Sequence, residues 1–528
     1  MSIPVKTNTF VVTALPKATF YHYDVFNPEM KQPLRAYEVI EKLQTNVAPG
    51  IFVPRAAYDG KKNLFASRRL FPDQSAVFNV PLSDGPNPKV IAVQLTQVGD
   101  PINPIVLNQV INGQADPQRS QLAVTLLQTL VRQAPVMAQK TFNARSVFTS
   151  SETKSIGGGF DLWRGFFQSI RPVANSILIN VDISTGAVYS ARDSIVSDWA
   201  TAFIHAGGRG QPNVRDVAQL ARGSEDWKRL KNALKHVKIT ALLPRGGRPR
   251  IYTIKDLEPR AGFYQFDMDG RMTSIMDYYK KKYGHTLRYP DLFGVVTRTT
   301  PHRVILPAEI CVIQPGQLYK KKLPSHLMDE VLRFSAQQPQ QRLNSILSGV
   351  AGDFLNYHGS DYVVSTGMKI STKPYEVMGR ALGAPQIQYQ NDTLPVTRGS
   401  WNLLGKTFFQ PATLEQWIVV NLSALNEQKV TQFFQQLIGC CQELAMFTEQ
   451  PLNHAPITGA NIEQVLRKIM QLPAAPKLVL FILPDNAAEI KKAIKFWGDT
   501  QYGISTQCVR QNKAARANNQ YCNNLALK

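Results

Sequence analysis

At 528 residues the chain is too long for a single hydrophobic core, and three or four domains are expected. Sixty Lys and Arg against thirty-eight Asp and Glu leave a formal charge of +22, spread along the sequence, so a polyanion or an acidic membrane surface is the expected partner. No apolar run reaches the roughly 18 residues of a membrane span and no signal h-region opens the chain, so neither feature is expected.

The five cysteines, at 311, 440, 441, 508 and 522, show neither CxxC pairing nor metal-ligand spacing. Reduced, buried thiols of an intracellular protein fit that pattern. Composition alone therefore describes a soluble, cytosolic binder of nucleic acid.

Up to about residue 105, short alternating runs broken by Pro, Gly and Asp (19–25 and 90–95 among them) predict a β-rich lobe with one helix over 34–43. A helical pattern follows over 118–139. Gly157, Gly158 and Gly159 then precede an aromatic segment to Pro172. Three glycines can cradle a phosphate, but the Lys-Ser/Thr of a P-loop is missing, so a flexible lead-in to a strand pair, a hinge, is the reading.

Residues 194–326 form a basic module. Trp227, Leu230, Leu234 and Val237 make an apolar helical stripe that leaves Lys228, Arg229, Lys231 and Lys235 outside. The loop 244–250 carries three arginines among glycines and prolines, a composition suited to tracking phosphates. Tyr252, Phe263, Tyr264 and Phe266 come next, then a helix with Tyr278, Tyr279, Lys282 and Tyr283, and then His302 and Arg303. Aromatics interleaved with cations hold single-stranded ends by stacking and phosphate contact. Phe263, Tyr264 and Tyr279 are assigned to the core, and Asp267, Asp269 and Gly270 to a hairpin turn instead of a metal site.

Gln-rich residues 336–341 predict a polar connector. An α/β pattern begins with the apolar run 417–422 and leads to the run 477–483, a buried, parallel strand ended by Pro484. Asn486 and Glu489 stand at capping-box spacing ahead of a helix whose apolar face is Ile490, Ile494 and Trp497, closed by Gly498. Lys491 and Lys495 rise from one flank of that helix. Residues 502–509 read as the next strand, with Gln507 near its end, and a basic, Asn-rich tail runs to Lys528. Two lysines, an amide and a terminal lysine can converge on one phosphate outside the strand ends, where α/β sheets bind ligands. On spacing alone, an ordinary solvated lysine face competes with that reading.

Long segments resemble eukaryotic Argonaute proteins. YHYDV (21–25) and YDGKKNLF (58–65) resemble the N domain, and GGGFDLWRGFFQSIRP with LINVDIS (157–184) the first linker. MDYYKKKYGHTLRYPDL (276–292) and RVILPAEICVIQPGQLYKKKL (303–323) resemble the PAZ domain. GMKISTKPYEVMGRALGAPQIQY (367–389) and GSWNLLGKTFF (399–409) resemble the second linker; LFILPDN, KKAIKFWGDTQYGISTQCV and NNLALK (480–528) resemble the MID domain.

The resemblance implies a multidomain α+β and α/β chain: a β-rich N domain (14–105), linker 1 (106–193), PAZ with an OB-like barrel (194–326), linker 2 (327–412), and a Rossmann-like MID domain running into the first residues of PIWI (413–528). It implies that MID anchors the 5′ phosphate of a small guide RNA through Lys495, Gln507 and Lys528. Lys491 stands where the family usually has a tyrosine that stacks on the first base. PAZ would hold the guide 3′ end with Tyr252, Phe266, Tyr278, Lys282 and Tyr283, although Ile305 replaces a usual tyrosine. The linkers would set the separation of the two sites.

The expected partners are small single-stranded or duplex RNA and silencing-complex proteins, with no membrane, for a monomer in the cytoplasm or nucleus. Target cleavage would need a PIWI domain with carboxylates and Mg²⁺. The chain reaches Lys528 where that domain would only be starting, so no enzyme activity and no cofactor are expected of these residues. A slicer, should PIWI follow, and a non-catalytic scaffold are the alternatives.

Overall fold

The computed structural model describes the chain apart from residues 27–32, 83–87, 115–119, 191–193, 207–210, 243–249, 454, 460 and 486. It divides into two compact units, Ile3–Gly379 and Met1–Ser2 with Arg380–Lys528. The basic loop 243–249 and the capping residue Asn486 lie outside the described residues.

In the first unit, five antiparallel strands stand in the order Ala57–Tyr58, Asn63–Ala66, Tyr21–Phe26, Val90–Gln97, Ser75–Pro81. The helix Pro33–Lys42 buries Tyr37, Val39 and Ile40 against them, as the alternating runs predict. A second five-stranded sheet carries the order Lys369–Arg380, Ser2–Ala14, Ser176–Tyr189, Phe160–Val173, Ser146–Gly157. The helix Gln121–Gln139 packs on it through Leu126, Leu127 and Leu130.

The three glycines are not a hinge. Gly157, Gly158 and Gly159 turn the hairpin between Ser146–Gly157 and Phe160–Val173, all with positive φ. A Cβ on Gly159 would stand 2.5 Å from the Trp199 indole nitrogen, which itself donates to the Gly159 carbonyl at 2.6 Å. The turn is therefore pinned to a buried tryptophan, and glycine is required there for space as well as conformation.

Residues 194–326 hold two three-stranded antiparallel sheets, Ile251–Thr253 with Lys238–Ala241 and Cys311–Ile313, and Asp256–Glu258 with Gly294–Arg298 and Val304–Pro307. Both face one core with Leu257, Val295 and Ile313. A hairpin, Gln265–Met268 with Arg271–Ser274, turns at Asp269–Gly270; the Asp267 carboxylate accepts the Gly270 N–H at 2.7 Å, the predicted turn. The Gln-rich connector is shorter than expected, because the helix Pro339–Ala351 already takes in Gln340 and Gln341. Proline suits its first turn, where no N–H is needed.

The second unit contains an all-parallel sheet in the order Ile457–Thr458, Trp417–Asn421, Leu478–Leu483, Ser505–Arg510. Helices cover both faces, so Leu480 and Ile482 enter one core while Val479, Phe481 and Leu483 enter the other. That is why the run reads as continuously apolar. The helix Ala488–Phe496 follows, with Ile494 and Trp497 buried as predicted. Its N-cap position is Ala487, without a side-chain cap, and Glu489 pairs with Lys492 instead. Gly498 does not end the helical path, which runs on as a wide turn over Trp497–Tyr502 to Gly503. Gly498 is needed for contact, since a Cβ there would stand 2.7 Å from the Ile504 carbonyl. The last strand accordingly begins at Ser505 instead of 502.

Candidate nucleic-acid interface

The first cluster is built on the helix Ile275–Tyr283. Ser274 caps its start, accepting the Asp277 N–H at 3.1 Å, and Gly284 in the left-handed region closes its end. Ile275 and Tyr279 are the buried face, and Tyr278, Lys282 and Tyr283 stand on the flank above it. Tyr278 is the hub. Phe266, from the hairpin, meets its ring edge-on at 5.4 Å, and Tyr283 lies at 5.9 Å.

The Lys282 ammonium sits 5.1 Å from the Tyr278 ring centroid and 5.9 Å from that of Tyr283. Such spacing is that of cation–π contact. Hydrogen bonding to Tyr278, and then the fields of Tyr278 and Tyr283, hold the Lys282 pKa above its usual value. Burial, then a hydrogen bond to Tyr278, pushes the Tyr283 hydroxyl up. Tyr252, on the neighbouring strand, acts electrostatically on Tyr283 and carries the Arg250 guanidinium over its ring at 5.7 Å.

The structure therefore brings Phe266, Tyr278, Lys282 and Tyr283 into direct contact, with Tyr252 adjoining. Arg250 is an addition; its signal was the basic loop that it ends. Tyr279 is core, at 4% exposure, and Tyr264 is half-buried, but Phe263 is not core: it is 43% exposed beneath the Arg260 guanidinium. Three of the cations expected to face outward freely are matched by acids. Lys228 pairs with Glu225 at 2.9 Å, Arg229 with Asp226 at 2.7 Å and Lys231 with Asp256 at 2.8 Å. His302 and Arg303 likewise lie by the second sheet, where Arg303 pairs with Glu258.

The second cluster lies in the parallel-sheet unit. The expected convergence outside the strand ends is not what forms. Ser505–Arg510 is the edge strand, so one side of its backbone is free of the ladder, and side chains occupy it. The Lys495 ammonium donates to the Thr506 carbonyl at 2.8 Å, and the Gln507 amide reaches the Cys508 carbonyl at 3.5 Å. An ammonium has three donors. One is fixed on Thr506, and Asp499 at 3.9 Å is beyond hydrogen-bond reach, so two remain for a ligand.

Burial pushes the Cys508 thiol pKa up, opposed first by the Lys495 field and then by that of Lys491. Lys495 and Gln507 therefore both reach the backbone of the edge strand, and Lys491 stands one helical turn before Lys495. Lys528 is exposed past the helix Asn519–Ala526, and no contact joins it to the other three among the described residues. Among those residues, too, no group of His, Cys, Asp and Glu could hold a metal ion, and no helix is long and apolar enough to cross a membrane.

Comparison with known proteins shows what the whole chain resembles. Family models match in sequence: the N-terminal domain of argonaute over residues 1–131, the Argonaute linker 1 domain over 143–190, the PAZ domain over 214–330 and the Mid domain of argonaute over 395–471. No model of a PIWI domain matches. Protein argonaute 12 of Oryza sativa subsp. japonica is 28% identical over 560 residues, taking in 99% of this chain and 51% of that protein. Protein argonaute of Schizosaccharomyces pombe is 27% identical over 100% of this chain and 63% of its own length.

Kluyveromyces polysporus Argonaute, solved with a guide RNA, superposes with a TM-score of 0.64 at 17% identity, covering 100% of this chain and 64% of that one; at such identity the likeness speaks for the fold. The chain spans about half the length of the plant relatives it matches. Carrying N-terminal, linker 1, PAZ and Mid regions in one order, and similar throughout to argonautes of plants and a yeast, the chain belongs to the Argonaute family.

Proposed function

We propose that these residues bind the two ends of a small guide RNA for RNA-mediated silencing. The aromatic cluster around Tyr278 takes the 3′ end, and the sheet edge at Lys495 and Gln507 takes the 5′ phosphate. The observation that carries the reading is the cation Lys282 against the half-buried rings Tyr278 and Tyr283, with Phe266 and the Arg250-capped Tyr252 beside them. Rings of that kind offer stacking faces to unpaired bases, and the ammonium offers a contact to the phosphate between them.

Lys491 adds charge at the 5′ site where a ring would add stacking, and Lys528 would join it only by moving to the ligand. Guide binding requires no metal; cleavage by a longer protein would take its carboxylates and Mg²⁺ from other residues, and silencing-complex proteins, in cytoplasm or nucleus, are the partners we assign. The test is binding of 5′-phosphorylated and 5′-hydroxyl guides, each with a free or blocked 3′ end, with a Mg²⁺ cleavage assay beside it. Both end modifications should weaken binding and no target should be cut. Indifference to both ends would favour a non-catalytic scaffold, and cutting at one position would favour a nuclease.

A further inference from the structure

The residues 214–330 matched by the PAZ model hold a second concavity that shares no residue with the Tyr278 cluster. It encloses about 740 Å³ between the helix Val214–Ala218, the turn at 259–260 and the segment 288–292. That is the size of small-molecule sites in general. Four exposed arginines line it: Arg215, Arg222, Arg260 and Arg288. Asp291 is the only carboxylate in the lining, and it engages Arg260 at 3.3 Å. Arg215, Arg222 and Arg288 meet no carboxylate among the described residues.

The floor is apolar where Leu292 closes it, and Tyr289 stands half-buried at the side with the Arg288 guanidinium over its ring at 5.2 Å. This wall is preset. The Glu309 carboxylate accepts the backbone N–H of Arg288 at 2.8 Å and of Tyr289 at 2.7 Å. Arg260, opposite, is held at a φ of 50°, a conformation that costs a non-glycine residue free energy.

Guanidinium groups at the rim, an apolar floor and a ring capped by a planar cation match the two halves of a nucleotide. The flat base enters against Tyr289 and Arg288, and phosphates meet Arg215 and Arg222. A simple anion would leave the apolar floor unused; an apolar ligand would leave three guanidiniums without an anion. We propose that this cavity is a second nucleic-acid site, which takes one nucleotide of a single strand, base inward, with its flanking phosphates on the arginines. The proposal does not depend on the end-binding reading, because its residues are separate.

The experiment uses the full chain with Tyr278→Ala and Lys495→Ala, which weakens both proposed end sites, and a short labelled RNA whose 5′-hydroxyl and 3′-phosphate offer neither site its expected end. This chain should still bind the RNA. Adding Arg222→Glu and Arg288→Glu should weaken binding by about tenfold or more and flatten the slope of log K against log salt by roughly 1.4, two phosphate contacts at about 0.7 each. The same two arginine changes made in the otherwise unaltered chain should leave the thermal midpoint and the preference for 5′-phosphate unchanged.

Equal binding with and without the arginines overturns the site. Adenosine 5′-monophosphate competing as well as the RNA overturns the strand as the source of the nucleotide. A phosphoserine peptide of equal charge competing as well overturns the nucleotide itself.

Discussion

Replacing Lys495 by Met isolates one charge at the sheet edge, because the substitution keeps the apolar stem and removes the ammonium. In the free protein that ammonium spends one donor on the Thr506 carbonyl, 2.8 Å away, and leaves two for phosphate oxygens. A hydrogen bond to a charged group contributes about 1.5–3 kcal/mol, which would be a tenfold to roughly 150-fold loss. The Lys495 side chain is 41% exposed, so solvent screening puts the expected loss at the lower end, about tenfold. The loss should appear with 5′-phosphorylated guides and vanish with 5′-hydroxyl guides.

The salt slope for the phosphorylated guide should flatten by about 0.7, the value of one phosphate contact on a single strand. Fluorescence anisotropy with the four combinations of protein and guide gives the coupling directly. An equal loss for both guides would show that Lys495 acts through the fold or the general field. No loss in either would remove it from the site.

Three further outcomes are expected. Tyr278→Ala combined with Tyr283→Ala should weaken a duplex with a two-nucleotide 3′ overhang by about 1–3 kcal/mol per unstacked base while preserving 5′-phosphate discrimination; loss of both together would show the rings to be core. Gly157→Ala should cost about 1–2 kcal/mol for left-handed backbone alone, since a Cβ there meets nothing within 4 Å, whereas Gly159→Ala should cost at least about 2 kcal/mol more by displacing Trp199. Equal denaturation midpoints would mean that the turn is not pinned. The His205 ring nitrogens face the Thr201 carbonyl at 2.9 Å and the Asp216 carboxylate at 2.8 Å, and these bonds raise its pKa above the ordinary 6.5. Its stabilisation is then complete below pH 6.5 and is lost as pH rises through the raised folded value, so the stability gap between wild type and His205→Ala should close in alkali; a gap independent of pH would refute the charged form.

Much of the fold was legible because its signals were local. Residues 478–483 form an unbroken apolar run only because helices cover both faces of the sheet, and that run announces a parallel strand. The cluster on the helix Ile275–Tyr283 was legible for a similar reason. Rings and a cation at helical spacing share a flank, and the hairpin carrying Phe266 is signalled by Asp269–Gly270.

What escaped depends on distant partners. Nothing near Gly159 announces Trp199, forty residues on, so a pinned turn read as a loose one. The acids facing Lys228 and Arg229 stand three residues before them and were readable from spacing, but Asp256 opposite Lys231 was not. The edge position of Ser505–Arg510 is a property of the whole sheet, so the backbone that Lys495 and Gln507 each reach could not be read from their own segment.

A net charge of +22 states that anions are attracted and says nothing about where. The partners of each cation supply the missing information. Where an acid stands within ion-pair distance, as for Lys228, Arg229 and Lys231, the local field is cancelled and the pair belongs to the surface of the fold. Lys282 and Arg288 are held differently. One sits over phenol rings, and the other lies over a tyrosine ring. Neutral partners orient a cation without neutralising it. The side-chain entropy that an anion would otherwise have to overcome is thereby reduced in the free protein, while the full charge stays available. By that criterion the binding surfaces proposed above are not where basic residues are densest. At the two proposed surfaces that contain Lys282 and Arg288, those cations are held by groups that carry no charge.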